Sequence, residues 1–271
     1  MKNIKNKFKI LFFTPHADDI ELGSPFMYLE ALRLGNEVIE VVMTNNEFGT
    51  FDYEFKGKRL SKIREKELDN ANRVFAKHSN NNVRVVRMGY IDGYLPFNSE
   101  SLNKVVNLIL KEKPIIIFAP DPWYAQDFHK DHINTGRLIY FSLKILKEVE
   151  RPKKVFYYYS FRTRFYFKCR WKDFKIVKET QSKHKSQYTP LEIKLMLTFY
   201  NKLSIFRHFL ERGSFSESFR EQGFKNGFPI PPKQFKRMSF RKRVIYYIFS
   251  KLTIKGYLRF HNLTAKELGL K

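Results

Sequence analysis

Cysteine is nearly missing from this chain. Cys169 stands alone among 271 residues, so no internal disulfide can form, and a reducing, cytoplasmic setting is expected. No stretch of about 20 uncharged apolar residues occurs, so no transmembrane helix is expected. The start, MKNIKNKFKILFFTPHADD, is basic and then apolar for about six residues. That is short of the ~7–15 of a signal h-region and lacks a small-residue cleavage site, so it reads as a first strand. Acidic residues become scarce late in the chain. Residues 1–150 carry 22 Lys/Arg against 20 Asp/Glu, residues 151–225 carry 18 against 6, and residues 226–271 carry 11 against 1. Nearly all of the net charge of +24 therefore lies after residue 150. A basic half beside a neutral half implies either an acidic partner (a membrane surface, a nucleic acid or a phosphorylated substrate) or a solvated basic face.

What is present is a hydrophobic content of 43%, enough for one sizeable core with or without an appendage. The first 160 residues alternate between two periodicities. Strands are expected at Phe8–Phe13, Glu37–Met43, Val83–Met88, Pro114–Ala119 and Lys154–Ser160. Helices are expected at Gly23–Leu34, Lys58–Lys77, Ser101–Lys111 and His129–Val149. In the second helix Leu60, Ile63, Leu68, Ala71 and Val74 can share one face. This alternation predicts an α/β, Rossmann-like fold, a mostly parallel sheet flanked by helices. Later the pattern weakens: a strand is expected at Phe174–Glu179, a helix at Leu191–Leu210, and an extended break at FPIPPK.

Two clusters carry chemistry. After the first strand comes TPHADDIELG, with His16, Asp18 and Asp19 within four positions. After the fourth strand comes PDPWYAQDFHKDH, with His129, Asp131 and His132. Ligands of parallel α/β sheets bind beyond the carboxyl ends of the strands. If the first and fourth strands are neighbours, the two clusters meet, and His16, Asp19 and His132 surround one point. Two imidazoles, one carboxylate and an open position make a ligand set used by catalytic zinc; ferrous iron suits it as well. Asp18 and His129 remain to serve as base and oxyanion stabiliser. Taken singly, each of these residues reads as structural; it is the pair of clusters that argues for a site.

These motifs resemble the LmbE-like, or PIG-L, family of zinc-dependent N-deacetylases, which remove acetyl from N-acetylglucosamine joined to another group. Pro15 to Gly23 (PHADDIELG) is similar to the family's (P/A)H-x-DD-x-x-x-G, and His129 to His132 to its H-x-D-H. Further similarities are the helix bearing Arg64 and Glu65, Asp92 in YIDGYLP, His184 to Gln187 (HKSQ) and Ser216 to Arg220 (SESFR). The resemblance implies His16, Asp19 and His132 as metal ligands and Asp18 as general base. It implies His129 as the group that stabilises the oxyanion or protonates the leaving amine, Asp131 as a carboxylate that orients a histidine, and Arg64 and Asp92 as sugar or aglycone contacts. The pattern differs in two places: Tyr124, in DPWYAQDF, is the candidate for the tyrosine that assists the oxyanion in some members, and Gly23 is followed by Ser24 and Pro25 where a glycine-rich stretch is usual.

The resemblance covers about residues 8–225, so a deacetylase domain is expected at 1–225 and a basic, aromatic extension at 226–271. That extension is expected either to lie on an anionic membrane, making the protein peripheral, or to pack on the domain with its charges solvated. The substrate implied is an N-acetylated amino-sugar conjugate, lipid- or nucleotide-linked in surface glycan assembly. The alternative is a small soluble conjugate, as in low-molecular-weight thiol synthesis. A nucleic-acid-binding role would leave both His/Asp clusters unexplained.

Overall fold

The structure, a computed structural model, describes residues 7–50, 52–127, 129–187 and 216–231. Its centre is β1 (Lys9–Thr14), whose residues Leu11 to Thr14 are sealed from solvent on both faces. Parallel to it run β2 (Glu37–Thr44) on one side and β4 (Ile116–Pro120) on the other. Next come β3 (Val83–Tyr90), outside β2, and β5 (Lys154–Tyr158), outside β4. Two strands complete the sheet: β6 (Phe165–Lys168) and β7 (Ser216–Glu221), the latter antiparallel to β5. The order is β3-β2-β1-β4-β5-β7-β6. This is the mostly parallel, helix-flanked sheet expected from the alternation.

The two faces of the sheet follow the period of two. Leu11, Phe13, Ile39, Val41, Ile117, Val155 and Tyr157 face one core, and Ile10, Phe12, Val38, Phe118, Phe156 and Tyr158 the other. Helices α4 (Ser99–Glu112) and α5 (Lys130–Ile145) cover the first face. The second is covered by α1 (Asp19–Gly23), α2 (Pro25–Arg33), α3 (Lys58–Ser79) and α6 (Phe174–Gln181).

Several expectations are corrected. Phe174–Glu179 is helix and not strand: Ile176, Val177, Thr180 and Gln181 are buried at helical spacing, and a short apolar run cannot distinguish the two periods. The helix expected at Gly23–Leu34 is two, because Ser24 leaves the helical conformation and Pro25 opens a new first turn. The helix expected at His129–Val149 starts at Lys130, with His129 as its cap, and stops at Ile145; Val149 lies in a separate 3-10 turn and is 91% exposed. On α3, Arg64 and Glu67 share the buried stripe, whereas Ile63 is half-buried.

The short hairpin of β8 (Phe224–Lys225) and β9 (Phe228–Pro229) turns through Asn226 and Gly227, both at positive φ, and so straddles position 225. The helix expected at Leu191–Leu210 and nearly all of the extension expected to meet a membrane lie outside the described residues. Among the described residues no helix is long and apolar enough to cross a membrane.

Candidate metal centre

The connection after β1 leads outward to β2 and β3, and the chain returns to place β4 on β1's other flank. The sheet order therefore reverses between β1 and β4, and a crevice opens beyond their carboxyl ends. Both His/Asp clusters sit there. The first is pinned by backbone contacts: Thr44 donates from its N–H to Pro15 O at 3.1 Å, and Ala17 N–H donates to Asn46 Oδ1 at 2.9 Å. Asn46 itself is left-handed, with φ 60°. The second cluster opens α5, where the His129 side chain caps the helix by accepting from Asp131 N–H at 3.2 Å.

Three ligand atoms converge. His16 Nδ1 lies 3.3 Å from Asp19 Oδ2, and His132 Nε2 lies 3.2 Å from Asp19 Oδ1. The imidazole centroids of His16 and His132 are 5.3 Å apart, and one donor atom from each of the three residues falls within 4.8 Å of the others. All three residues are buried. A second quartet, His16, Asp92, His129 and Asp131, meets the same distance test. Its lone pairs are already engaged, however. Asp131 accepts from Gly93 N–H at 2.6 Å and Leu95 N–H at 3.0 Å, Asp92 accepts from Phe48 N–H at 2.9 Å, and His129 Nδ1 accepts from Asp131 N–H. In the trio Asp19 Oδ2 likewise accepts His16 N–H at 2.8 Å, but Asp19 Oδ1 meets only the His132 ring nitrogen, so the trio keeps a carboxylate oxygen for a cation.

The outward-facing nitrogens of the trio also have company. Asp92 Oδ1 and Asp131 Oδ2 stand 3.1 and 3.3 Å from His16 Nε2. A carboxylate behind a ligating imidazole holds its proton on the far nitrogen and aims the near lone pair at the metal. Asp127 Oδ2 is 3.7 Å from His132 Nδ1, an ion-pair distance and not a hydrogen bond. The protonation equilibria follow this geometry. Burial works against a charged His16, but Asp92, Asp131 and Asp19 together raise its pKa well above the ordinary value. Burial works against a charged Asp19, yet His132 and His16 hold it well below the carboxylate range. His129 is pushed down, first by burial and then by the neighbouring His16.

Asp18 is placed differently. Its Oδ1 accepts from Arg64 Nη2 at 2.6 Å, and Arg64 is only 1% exposed. Of the two residues expected as sugar contacts, Arg64 thus has its Nη2 on Asp18, and Asp92 has its Oδ1 on His16. His184 is fully buried, 3.4 Å from Glu21 Oε1. Ser186 donates from both N–H and Oγ–H to the Glu67 carboxylate, at 2.8 and 2.6 Å, and Gln187 Nε2 donates to Gly49 O. Glu217, in the SESFR segment, accepts from Phe26 and Met27 N–H at 2.8 Å each and so caps α2 from a strand 190 residues away. Tyr124 is stacked against arginines at the rim.

Sequence reasoning missed Asp127, Glu67 and Tyr159. Tyr159 has φ 52°, its ring centroid lies 5.6 Å from that of His132, and its hydroxyl donates to Asp19 O at 3.3 Å. A tyrosine in the left-handed region is strained. That backbone signal cannot be read from a sequence.

Residues 11–141 match the family model described as PIG-L: GlcNAc-PI de-N-acetylase. Over 131 residues, 48% of this chain, the sequence is 30% identical to a diacetylchitobiose deacetylase of Thermococcus kodakarensis. That match spans 47% of the relative, about half its length. Among solved structures, an N,N'-diacetylchitobiose deacetylase from Pyrococcus horikoshii, complexed with its inhibitor, superposes with a TM-score of 0.71 at 24% identity, covering 80% of this chain and 84% of that one. A 4-carboxy-2-hydroxymuconate hydratase from Pseudomonas putida superposes with a TM-score of 0.60 at 11% identity, over 86% of this chain and 100% of that one. The second likeness shows that this fold also serves other chemistry, so function rests on the site.

Proposed function

We propose, from the match of residues 11–141 to the PIG-L family model and from the site's geometry, that this chain is a metal-dependent hydrolase of the N-acetyl group on an N-acetylglucosamine conjugate. The observation that carries the reading is the convergence of His16, Asp19 and His132 at the point where the sheet order reverses, with Asp18 next to Asp19 in the chain.

The donor set fits a metal. Two imidazole nitrogens and a carboxylate oxygen face one another, His16 Nε2 is backed by the Asp92 and Asp131 carboxylates, and His132 Nδ1 lies at ion-pair distance from Asp127. His16, Asp19 and His132 would hold Zn2+, with Fe2+ suited to the same donors. When bound, the metal supplies Lewis acidity towards the acetyl carbonyl and towards water.

The chain's own groups divide the remaining work. Asp18 takes the proton from the attacking water, its carboxylate oriented by Arg64 Nη2, which donates to Oδ1 at 2.6 Å. His129 Nδ1 accepts the Asp131 N–H, so the neutral ring carries its proton on Nε2. Its lowered pKa keeps the ring neutral near pH 7, as a hydrogen-bond donor to the oxygen that gains charge. Water adds to the acetyl carbon, the C–N bond breaks, and the proton held by Asp18 passes to the departing amine. The products are acetate and a free amino sugar. A neutral disaccharide substrate is supported by the relatives' printed name, diacetylchitobiose deacetylase.

The test is metal content together with acetate release from N-acetylglucosamine conjugates. Wild type should hold one metal per chain. Asp18→Asn should keep the metal and lose about 10²–10⁴-fold in turnover, whereas His132→Ala should lose the metal. Wild type that takes up neither zinc nor iron on reconstitution would overturn the reading.

A further inference from the structure

Beside the metal centre, at the ends of β4 and β5, a ladder of side chains rises from the buried Asp121. This carboxylate accepts from Trp123 and Tyr124 N–H at 2.8 and 3.1 Å and from Ser160 Oγ–H at 2.6 Å. It also accepts Arg220 Nε and Nη2 at 2.5 and 3.0 Å, a two-point pairing that neutralises that guanidinium. The Tyr124 ring lies 5.5 Å from Arg220, and the Arg162 guanidinium stacks on the same ring at 4.5 Å, with its Nη1 3.5 Å from the phenol oxygen. Arg162 N–H in turn donates to Ser160 Oγ at 3.1 Å. The outermost member is therefore positioned by a rigid base, yet it is exposed, and among the described residues no carboxylate stands within ion-pair distance of it.

Next to it Phe161 is 60% exposed. The strip is tied to the reaction centre through the backbone. Phe161 N–H donates to Tyr124 O at 2.7 Å, Gln126 N–H donates to Tyr159 O at 2.7 Å, and Tyr159 lies against His132. Three residues of extended chain, from Tyr159 to Arg162, span at most about 11 Å. A group carried next to the sugar whose acetyl is at the metal centre can reach that far. With its face on the Tyr124 ring and Nη1 towards the phenol oxygen, the exposed Arg162 guanidinium keeps its other N–H groups for a phosphate or carboxylate.

We propose that Arg162, set on Tyr124 above the Arg220–Asp121 pair and flanked by Phe161, forms a subsite for an anionic group adjoining the N-acetylated sugar. The subsite rests on the deacetylase reading for its substrate but not for its binding. Phosphate and carboxylate share the chemistry that Arg162 recognises, and the experiment separates them.

Acetate release by wild type, Arg162→Ala, Arg162→Lys and Tyr124→Leu is measured on three probes: N,N'-diacetylchitobiose, N-acetylglucosamine 1-phosphate and a disaccharide of N-acetylglucosamine with glucuronic acid. Arg162→Ala should lower kcat/KM on an anionic probe about tenfold more than on the neutral one, mainly through KM. Arg162→Lys should restore part of that loss, and Tyr124→Leu should reproduce part of it. The probe that shows the difference names the anion. Equal losses on all three probes, or no loss, would overturn the subsite and leave the deacetylase standing. If no probe releases acetate, the deacetylase reading fails, and titration with N-acetylglucosamine 1-phosphate decides the subsite alone. About tenfold weaker binding by Arg162→Ala supports it, and unchanged or undetectable binding by wild type rejects it.

Discussion

A buried carboxylate behaves according to its neighbours. Asp19, between two imidazoles, is held charged; Glu40, on the same face of the sheet as α2 and α3, is not. Burial, and then the nearby Glu21, push the Glu40 carboxyl up to about 8, against the partial relief of Asn72 Nδ2–H at 2.7 Å and Tyr28 O–H at 3.2 Å. At neutral pH the folded protein therefore keeps a proton there that the unfolded chain, titrating near 4.5, has released. The stability linked to that proton is complete below about 4.5 and is lost as the pH rises through about 8. Glu40→Gln keeps the acceptor for Asn72 and Tyr28 and has nothing to titrate. Chemical denaturation of wild type should show a loss on the order of 3 kcal/mol between pH 5 and pH 9, and the glutamine variant a visibly flatter profile. Parallel profiles would show that Glu40 is ionised throughout.

The site depends on how closely α5 approaches β4. Gly136 lies one turn after His132, and a Cβ added there would stand 2.3 Å from Pro120 O and 2.9 Å from Pro122 N. Both are backbone atoms and cannot swing aside. Gly136→Ala must therefore move the helix that carries His132. It should cost about 1–3 kcal/mol in denaturant unfolding and weaken metal affinity, read by chelator competition, even though residue 136 touches no ligand. Retained affinity would show that α5 can slide without moving the histidine. At this scale the sequence was legible where an element is long and regular. The alternation over residues 8–160 was enough to place β1 to β5 and α3 to α5 within a few residues. It was insufficient where a short segment fits both periods, as at Phe174–Glu179, or where one residue breaks a helix, as Ser24 does.

For the molecule as a whole, the candidate metal trio is built from chain segments more than a hundred residues apart: His16 and Asp19 beyond β1, and His132 on α5. An unfolded chain has no such cluster, so metal binding must favour the folded state. At metal concentrations about 100-fold above the dissociation constant the gain is about 2.7 kcal/mol. Stripping the protein with a chelator should lower its melting temperature, and zinc should restore it; His132→Ala should show neither change. A melting temperature indifferent to chelation in wild type would count against a metal at this site.

The sequence alone determined what lies close along the chain: a periodicity that makes a parallel sheet, and two motifs whose His and Asp residues are nearly consecutive and follow apolar strands. Neighbours in sequence at a strand end stay neighbours in space, so their chemistry can be read before folding. What only the tertiary structure decided is which distant groups meet them. Arg64 reaches Asp18 because α3 packs a polar stripe inward, and Asp92 and Asp131 both meet His16 Nε2 because β3 and β4 end at the same rim. Glu217 caps a helix 190 residues away, and Arg162 is held by a ladder anchored on β4 and β7. Each of these is a single residue with no local pattern. Its role is set by the packing of separate elements, and that packing is the one quantity a linear pattern does not contain.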